Sequence, residues 1–336
     1  MGVNGLMDYF RGCRPAIRLL MWLLVCTLAA ALLYAQPPVE QPRILGISHM
    51  AFDVSDLFKA RAFYEDFLGF AEYGVLPGKD GSVRMVFIKI NDDQHIELFT
   101  DQPPAGAGRL NHVAFYTDNA PQMRDYLASR GVKVPERVGK GKTGDLNFEF
   151  KDPDDHTVEI VQYEPTGWVM RDRGKLMPPS RISPRIGHAG LSVGALQDSM
   201  NFYGGILGFR EFWRGNAKES ETLSWVNMRV PDGQDYVEFM LYAVRPSPDR
   251  LSVMHHFSLE VPDVHQAVAE LESRPAFKTY GRNISAKVGV NHRWQANLFD
   301  PDGTRIELME PGTFDGKPVP PSTAPPPHPA GAPVHQ

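Results

Sequence analysis

The chain has 336 residues, of which 42% are apolar and 22% charged, and its formal net charge is −5. That length allows about two domains with a sizeable core. No block of Lys and Arg points to nucleic acid. The only two cysteines, Cys13 and Cys26, lie near the start, so the rest of the chain has neither a disulfide framework nor a thiolate metal site.

Arg11, Arg14 and Arg18 precede LLMWLLVCTLAAALLYA (19–35), an uncharged apolar run ending in small residues. Positive, then apolar, then small is the order of an export signal. Seventeen residues is long for a cleaved apolar core and near the lower limit for a membrane span. Residues 1–35 are therefore expected to be a signal peptide cleaved near Ala35, with an uncleaved membrane anchor as the rival. Either places the protein outside the cytoplasm, in the periplasm or beyond, and any membrane contact would run through this segment alone.

From Ile44 a pattern recurs four times. ILGISHMAFDV, RLNHVAFYTD, RIGHAGLSV and VMHHFSLEVPD are short apolar strands that each contain a histidine. A helix-like stretch follows each of them. Ser55 is placed to cap the first and Gly69 to end it. PQMRDYLASR stops at Gly131, DSMNFYGGIL at Gly208, and DVHQAVAELESR at Pro275. Strand-like segments come next, and the last in each unit sets a glutamate between apolar residues: HIELF, HTVEIVQY, YVEFMLY and RIELME. The spacings His49 to Glu97, His112 to Glu159, His188 to Glu238 and His256 to Glu307 are 48, 47, 50 and 51 residues.

Units one and three correspond through FYEDFLGF and FYGGILGF, and units two and four through KDPDDHTVEI and FDPDGTRIEL. The Pro and Gly of DPDG are what a tight turn before a strand requires. Each unit reads β-α-β-β-β, and one alone cannot bury its sheet face. Four units therefore form two α+β domains, 44–164 and 186–311, joined by a Pro-, Gly- and charge-rich linker at 165–185. The tail, 312–336, carries eight prolines in its last twenty residues and is expected to be disordered.

The repeated first-strand histidines, the FY-x-x-x-LGF stretches and the DPDG turn before IEL resemble the vicinal oxygen chelate superfamily, which includes glyoxalase I, extradiol dioxygenases, methylmalonyl-CoA epimerase and drug-resistance proteins. The resemblance covers about 44–310. It implies two paired-module half-barrels with the first and last strands of each module at the concave centre. It further implies a divalent ion, one of Fe²⁺, Mn²⁺, Ni²⁺, Co²⁺ or Zn²⁺, on His188, Glu238, His256 and Glu307, or on the second set His49, Glu97, His112 and Glu159. The C-terminal set is preferred, because that half of bimodular dioxygenases does the work. This half also brings pocket-like residues: Trp213, Trp225, Asn227, Arg229, Asn291, His292, Trp294 and Asn297. His95 shares a face with Glu97, His156 sits in a turn where solvent is expected, and His255 faces away from His256.

Three functions follow from the resemblance. In glyoxalase-like or epimerase-like chemistry, Glu307 or Glu238 takes a proton α to a carbonyl while the ion holds the enediolate. Ring-cleaving dioxygenation needs only His188, His256 and Glu307, but Asn297-Leu298-Phe299 stands where a tyrosine is wanted and Glu238 fills a needed open position. The third is metal-free binding of a small molecule or drug between the tryptophans. The first is favoured, acting on an α-oxygenated carbonyl compound. Four units in one chain complete both clefts, so a monomer suffices and a homodimer is also compatible.

Overall fold

Alternation along Ile44–Asp53 sets the arrangement: Met50 and Phe52 enter the apolar core, and His49 and Ala51 face the other way. The same division recurs along every central strand. In the computed structural model, which describes residues 39–218 and 220–327, these strands build two eight-stranded sheets. The apolar leader and the last nine residues lie outside the described part, and with them the signal or anchor expectation. No helix among the described residues is long and apolar enough to cross a membrane.

The first sheet comprises β1 (Ile44–Asp53), β2 (Ala71–Pro77), β3 (Val83–Lys89), β4 (His95–Phe99), β5 (Leu110–Thr117), β6 (Gly139–Lys140), β7 (Leu146–Lys151) and β8 (Thr157–Gln162). Its order is β2-β3-β4-β1-β5-β8-β7-β6. The second repeats it with β9 (Arg185–Val193), β10 (Arg210–Gly215), β11 (Trp225–Arg229), β12 (Tyr236–Leu241), β13 (His256–Glu260), β14 (Ala286–Val288), β15 (Trp294–Phe299) and β16 (Arg305–Met309), in the order β10-β11-β12-β9-β13-β16-β15-β14. Both sheets curl into half-barrels. The four modules read from the repeats are therefore present, paired one with two and three with four.

Helix ends follow the turn and cap residues. Asp56, not Ser55, caps the first helix by accepting from the Lys59 amide, and Ser55 instead donates its amide to Asp302. Asn119 and Asp263 cap Ala120–Ser129 and Val264–Ser273 in the same way. Gly69, Gly131 and Gly208 turn the chain with positive φ. AFYEDF (Ala62–Phe67) and MNFYGGI (Met200–Ile206) are wound as π-helices, which the residue pattern did not announce.

Those two segments explain why the described chain from Gln41 folds as one unit. Tyr64 in the first π-helix donates to Asp300 of the DPDG turn in the other half, at 3.3 Å, and Tyr203 in the second donates to Asp152 of DPDD, at 3.0 Å. Phe52 meets Phe257 at 5.9 Å and Phe115 meets Phe209 at 5.2 Å across the same seam. The helix-facing sides of both sheets thus share one continuous apolar core.

The tail departs from expectation over its described part. Ser322 donates its amide to Arg214 and its hydroxyl to Asn216, and the Leu223 amide donates to the Pro325 carbonyl. Proline removes donors but keeps carbonyls, so a polyproline segment still docks where an edge offers N–H groups.

Candidate metal centre and cleft

Each half lines up its ligand candidates on four adjacent central strands. In the second sheet His188 is on β9, Glu238 on β12, His256 on β13 and Glu307 on β16. Gly190 is the register partner of both Glu238 and His256, and Ser258 of both His188 and Glu307. Small residues opposite long ones let the side chains fold over the strand between them. Gly190 is essential to this, since a Cβ there would lie 2.0 Å from Nδ1 of His256.

The result is a buried cluster of four ligand atoms, all within 4.8 Å of one another. His188 Nε2 stands 3.1 Å from His256 Nε2 and 3.5 Å from Glu307, and His256 Nε2 stands 3.4 Å from Glu238 and 3.8 Å from Glu307. Donors ~2.1 Å from a shared ion stand roughly 3.0–3.4 Å apart at octahedral to tetrahedral angles, so the 3.1 and 3.4 Å spacings suit one ion and the 3.5 and 3.8 Å spacings are slightly wider. His256 Nδ1 donates to the Met254 carbonyl at 2.7 Å, which leaves the Nε2 lone pair free for a metal. Burial, with the Arg305 charge next, pushes His256 down to about 3, and burial likewise brings His188 to about 3. Both rings are neutral at physiological pH. Among the described residues Glu238 forms an ion pair within 4 Å with His256 alone, and Glu307 also meets Arg305 at 3.3 Å.

The first sheet places His49, Glu97, His112 and Glu159 in the same way, with a different outcome. His49 and His112 are 2.9 Å apart, and both reach Glu159, at 3.0 and 3.1 Å. Glu97 stands off at 3.6–3.7 Å and is also met by His95 at 3.4 Å. The outer atoms are satisfied too: His49 Nδ1 by Ser48, which Tyr163 braces, His112 Nδ1 by Asn111, and Glu159 by Asn147. Burial opposes a charge on His112, but the hydrogen bond and charge of Glu159 outweigh it and lift the ring to about 9. Glu159, also penalised by burial, is held well below the usual carboxylate range by its bonds from His112 and His49. The set is a tightly bonded network, although His49, His112 and Glu159 also stand close enough to share an ion.

The clefts above the two clusters differ as well. In the first, Tyr73, Phe87 and the linker's Trp168 fill the space over His95, with ring centroids 5.5–5.8 Å apart. Gly74 makes room for the indole, which a Cβ would strike at 2.3 Å. A pocket of about 10 Å³ lies to one side, between Tyr73, His95, Lys89 and Asp172, room for one water at most. In the second, register places Trp213 opposite Asn227 and Asn227 opposite Glu238, and on the other side Asn297 opposite Glu307. Trp213 Nε1, Asn227 Oδ1, Asn297 Oδ1, His188 Nδ1 and Arg305 Nε are buried without a partner.

Of the remaining expected pocket residues, Trp225 shares the cleft face, opposite Gly215. Arg229 is exposed at the rim, its guanidinium over Phe212. Two expectations need correction. Trp294 packs on His265 of the helix Val264–Ser273 and against the core, because its parity is that of Ala296 and Leu298. His292 occupies an exposed turn beside Phe314 of the tail, and Asn291 stands next to it. His95 does share the cleft with Glu97, and His255 does face away. His156 is not solvated as expected. It binds Asp152 at 2.8 Å and His255 at 3.1 Å in the seam between the halves. Arg305 and Gly190 were missed. Arg305 precedes Glu307 by two positions on a strand, and that spacing alone puts it on the ligand face.

Comparisons with known proteins follow this geometry. Residues 46–160 and 185–308 match the model of the Glyoxalase/Bleomycin resistance protein/Dioxygenase superfamily. Glyoxalase I of Saccharomyces cerevisiae is 24% identical over 249 residues, 66% of this chain and 69% of that protein. Among solved structures, the 2,3-dioxygenase LapB of Pseudomonas sp. KL28 superposes with a TM-score of 0.61 at 17% identity, covering 83% of this chain and 98% of its own. The Mn(II)-bound glyoxalase of Novosphingobium aromaticivorans gives 0.59 at 18%, covering 80% and 83%. The structural likenesses carry the fold, and the matched residues span both His–Glu sheets: the chain belongs to the Glyoxalase/Bleomycin resistance protein/Dioxygenase superfamily.

Proposed function

We propose that the protein is a metal-dependent enzyme of the glyoxalase or lyase–isomerase type, working in its C-terminal cleft on a small α-oxygenated carbonyl compound. The observation that supports this most is the buried quartet His188, Glu238, His256 and Glu307, with two neutral imidazoles and two carboxylates turned to one point. These four residues would hold a divalent ion. When bound, the ion would act as a Lewis acid toward two neighbouring substrate oxygens. The chain's own part is proton transfer. Glu238, with no Arg or Lys within 4 Å among the described residues, is the better base, whereas Glu307 is tied to Arg305 and suited to ligation. Trp213 and Trp225 wall the cleft and limit water. The yeast glyoxalase I relative favours this over ring cleavage, which the fold of the LapB dioxygenase keeps as the second reading.

Metal analysis of protein purified without added metal tests the proposal, alongside His256→Ala. About one divalent ion per chain is expected in the wild type and none in the variant. Proton exchange on a 2-hydroxyketone, followed by NMR in D₂O, should vanish with chelator. Oxygen uptake on catechols would replace the proposal with the dioxygenase reading, and ligand binding indifferent to chelator would replace it with the binding-protein reading. We also propose that residues 1–35 export the chain. Cell fractionation and N-terminal sequencing check this, and full-length protein in the cytoplasm would refute it.

A further inference from the structure

Arg305 is a cation inside the ligand cluster that the reaction as proposed does not require. It lies on the cleft face of β16, its side chain 12% exposed, with Nη1 3.3 Å from Glu307. Nη2 is 2.8 and 3.0 Å from the two ring nitrogens of His256. Near-equal distances to both nitrogens put Nη2 over the ring, off the in-plane lone pair of Nε2. Its Nε is buried with no partner. A buried guanidinium with an unused N–H costs free energy unless a ligand completes it.

Charge makes the same demand. Glu238 and Glu307 bring two negative charges and Arg305 one positive, and an imidazole that ligates a metal does so in its neutral form. A divalent ion on this quartet would leave one surplus positive charge in a site that water barely reaches. A bound monoanion would cancel it. The unpartnered amides Asn227 and Asn297 flank the quartet, each the register neighbour of one of its glutamates. Their oxygen and nitrogen ends can exchange places, so each can donate to or accept from a substrate oxygen. The first half lacks these features: Thr157 stands at the position of Arg305, Phe87 at that of Asn227, and Glu149 at that of Asn297.

We infer that the C-terminal cleft selects a small monocarboxylate bearing a hydroxyl or keto oxygen next to the carboxylate, with Arg305 as the substrate-binding residue that reads the negative charge. This deepens the metal-enzyme reading and rests on it. Glycolate is the minimal probe and hydroxyacetone its neutral counterpart. Calorimetric titration of metal-loaded full-length protein should find glycolate bound about 10- to 100-fold more tightly than hydroxyacetone, the range of a charge-assisted hydrogen bond. Arg305→Gln should abolish that preference with metal content unchanged, and Arg305→Lys should keep part of it. Equal binding of the two probes by the wild type overturns the inference even if Arg305→Gln fails to fold. Undiminished glycolate preference in Arg305→Gln overturns it as well. Absence of metal from the wild type would instead overturn the underlying reading, and the two failures are told apart by the metal assay alone.

Discussion

The N-terminal and C-terminal cups were built from the same module pair, and each keeps two histidines and two glutamates on the same four strands. In the N-terminal cup the groups consume one another: His112 and Glu159 form a buried ion pair, every outer nitrogen has a partner, and Trp168 stands in the opening. In the C-terminal cup the glutamates stand 3.4 Å or more from the imidazoles, and five buried polar atoms lack partners. The same ligand residue types are therefore bonded differently in the two cups, although both bring possible metal ligands together. The C-terminal cup keeps unspent hydrogen-bonding capacity around its ligands, which costs stability in the empty fold and would be regained on binding.

The largest expected difference is in stability. Glu159→Gln leaves buried His112 with only the more distant Glu97, at 3.6 Å, and breaking a buried pair costs roughly 3–5 kcal/mol. Glu238→Gln removes a carboxylate whose one ion pair within 4 Å among the described residues is with His256, at 3.4 Å, and should change stability by less than about 1 kcal/mol. Urea unfolding of chelator-treated protein measures both. Similar losses in the two variants would break the comparison, because the C-terminal cup would then be as closed as the other.

Much of this was legible in the residues, and the limits were physical. The His–Glu spacing repeated four times and period-two alternation named all eight cluster residues and their strands. Which cup had closed depended on side chains outside the motifs. Trp168 comes from the linker, and Asn147 acts on Glu159 from the neighbouring strand. Trp294 was misplaced because an aromatic residue in a strand gives no sign of its face unless its parity is counted against Ala296 and Leu298. The stretches FYEDFLGF and DPDG were read as a helix and a turn. Their tyrosine and aspartate meet across the seam, a long-range contact that no local pattern announces. Arg305, by contrast, was available from parity with Glu307.

A second, smaller difference concerns the strand under the ligands. Gly190→Ala puts a methyl group where the His256 ring rests, so the ring must tilt away from its Met254 partner. Loss of that orienting bond should weaken metal binding about 10- to 100-fold with the fold retained. Ala51 holds the matching place in the first sheet, opposite both Glu97 and His112. Ala51→Gly should leave metal content untouched and cost about 0.5–1 kcal/mol in backbone entropy. Competition with a chromogenic chelator reads the first effect and thermal melting the second. Unchanged metal affinity in Gly190→Ala would show that the glycine is only a packing convenience.

The smallest effect separates the two coverings. After β8 the chain puts Trp168 over the first cup, and after β16 it runs from Phe314, bonded to the His292 carbonyl, to Pro325 at Leu223. His292 lies between β14 and β15, and Arg214, which receives Ser322, lies in β10 at the opposite edge of the sheet. The tail therefore strings across from one edge to the other, where the linker plugs. Trp168→Ala removes a large packed ring and should cost about 2–3 kcal/mol, somewhat under the value for a fully buried tryptophan. Deleting 312–336 removes a few surface hydrogen bonds of about 0.5–1.5 kcal/mol each, and frees a dozen ordered residues whose entropy offsets most of that gain. Its effect on stability should stay within about 1 kcal/mol. Exchange of a cleft ligand should accelerate, however, since the tail crosses the sheet whose concave face holds the quartet. Stopped-flow quenching of tryptophan fluorescence by a bound ligand measures that rate. If deletion destabilises as much as Trp168→Ala and leaves exchange unchanged, the tail is a structural staple like the linker, and the two cups are covered alike.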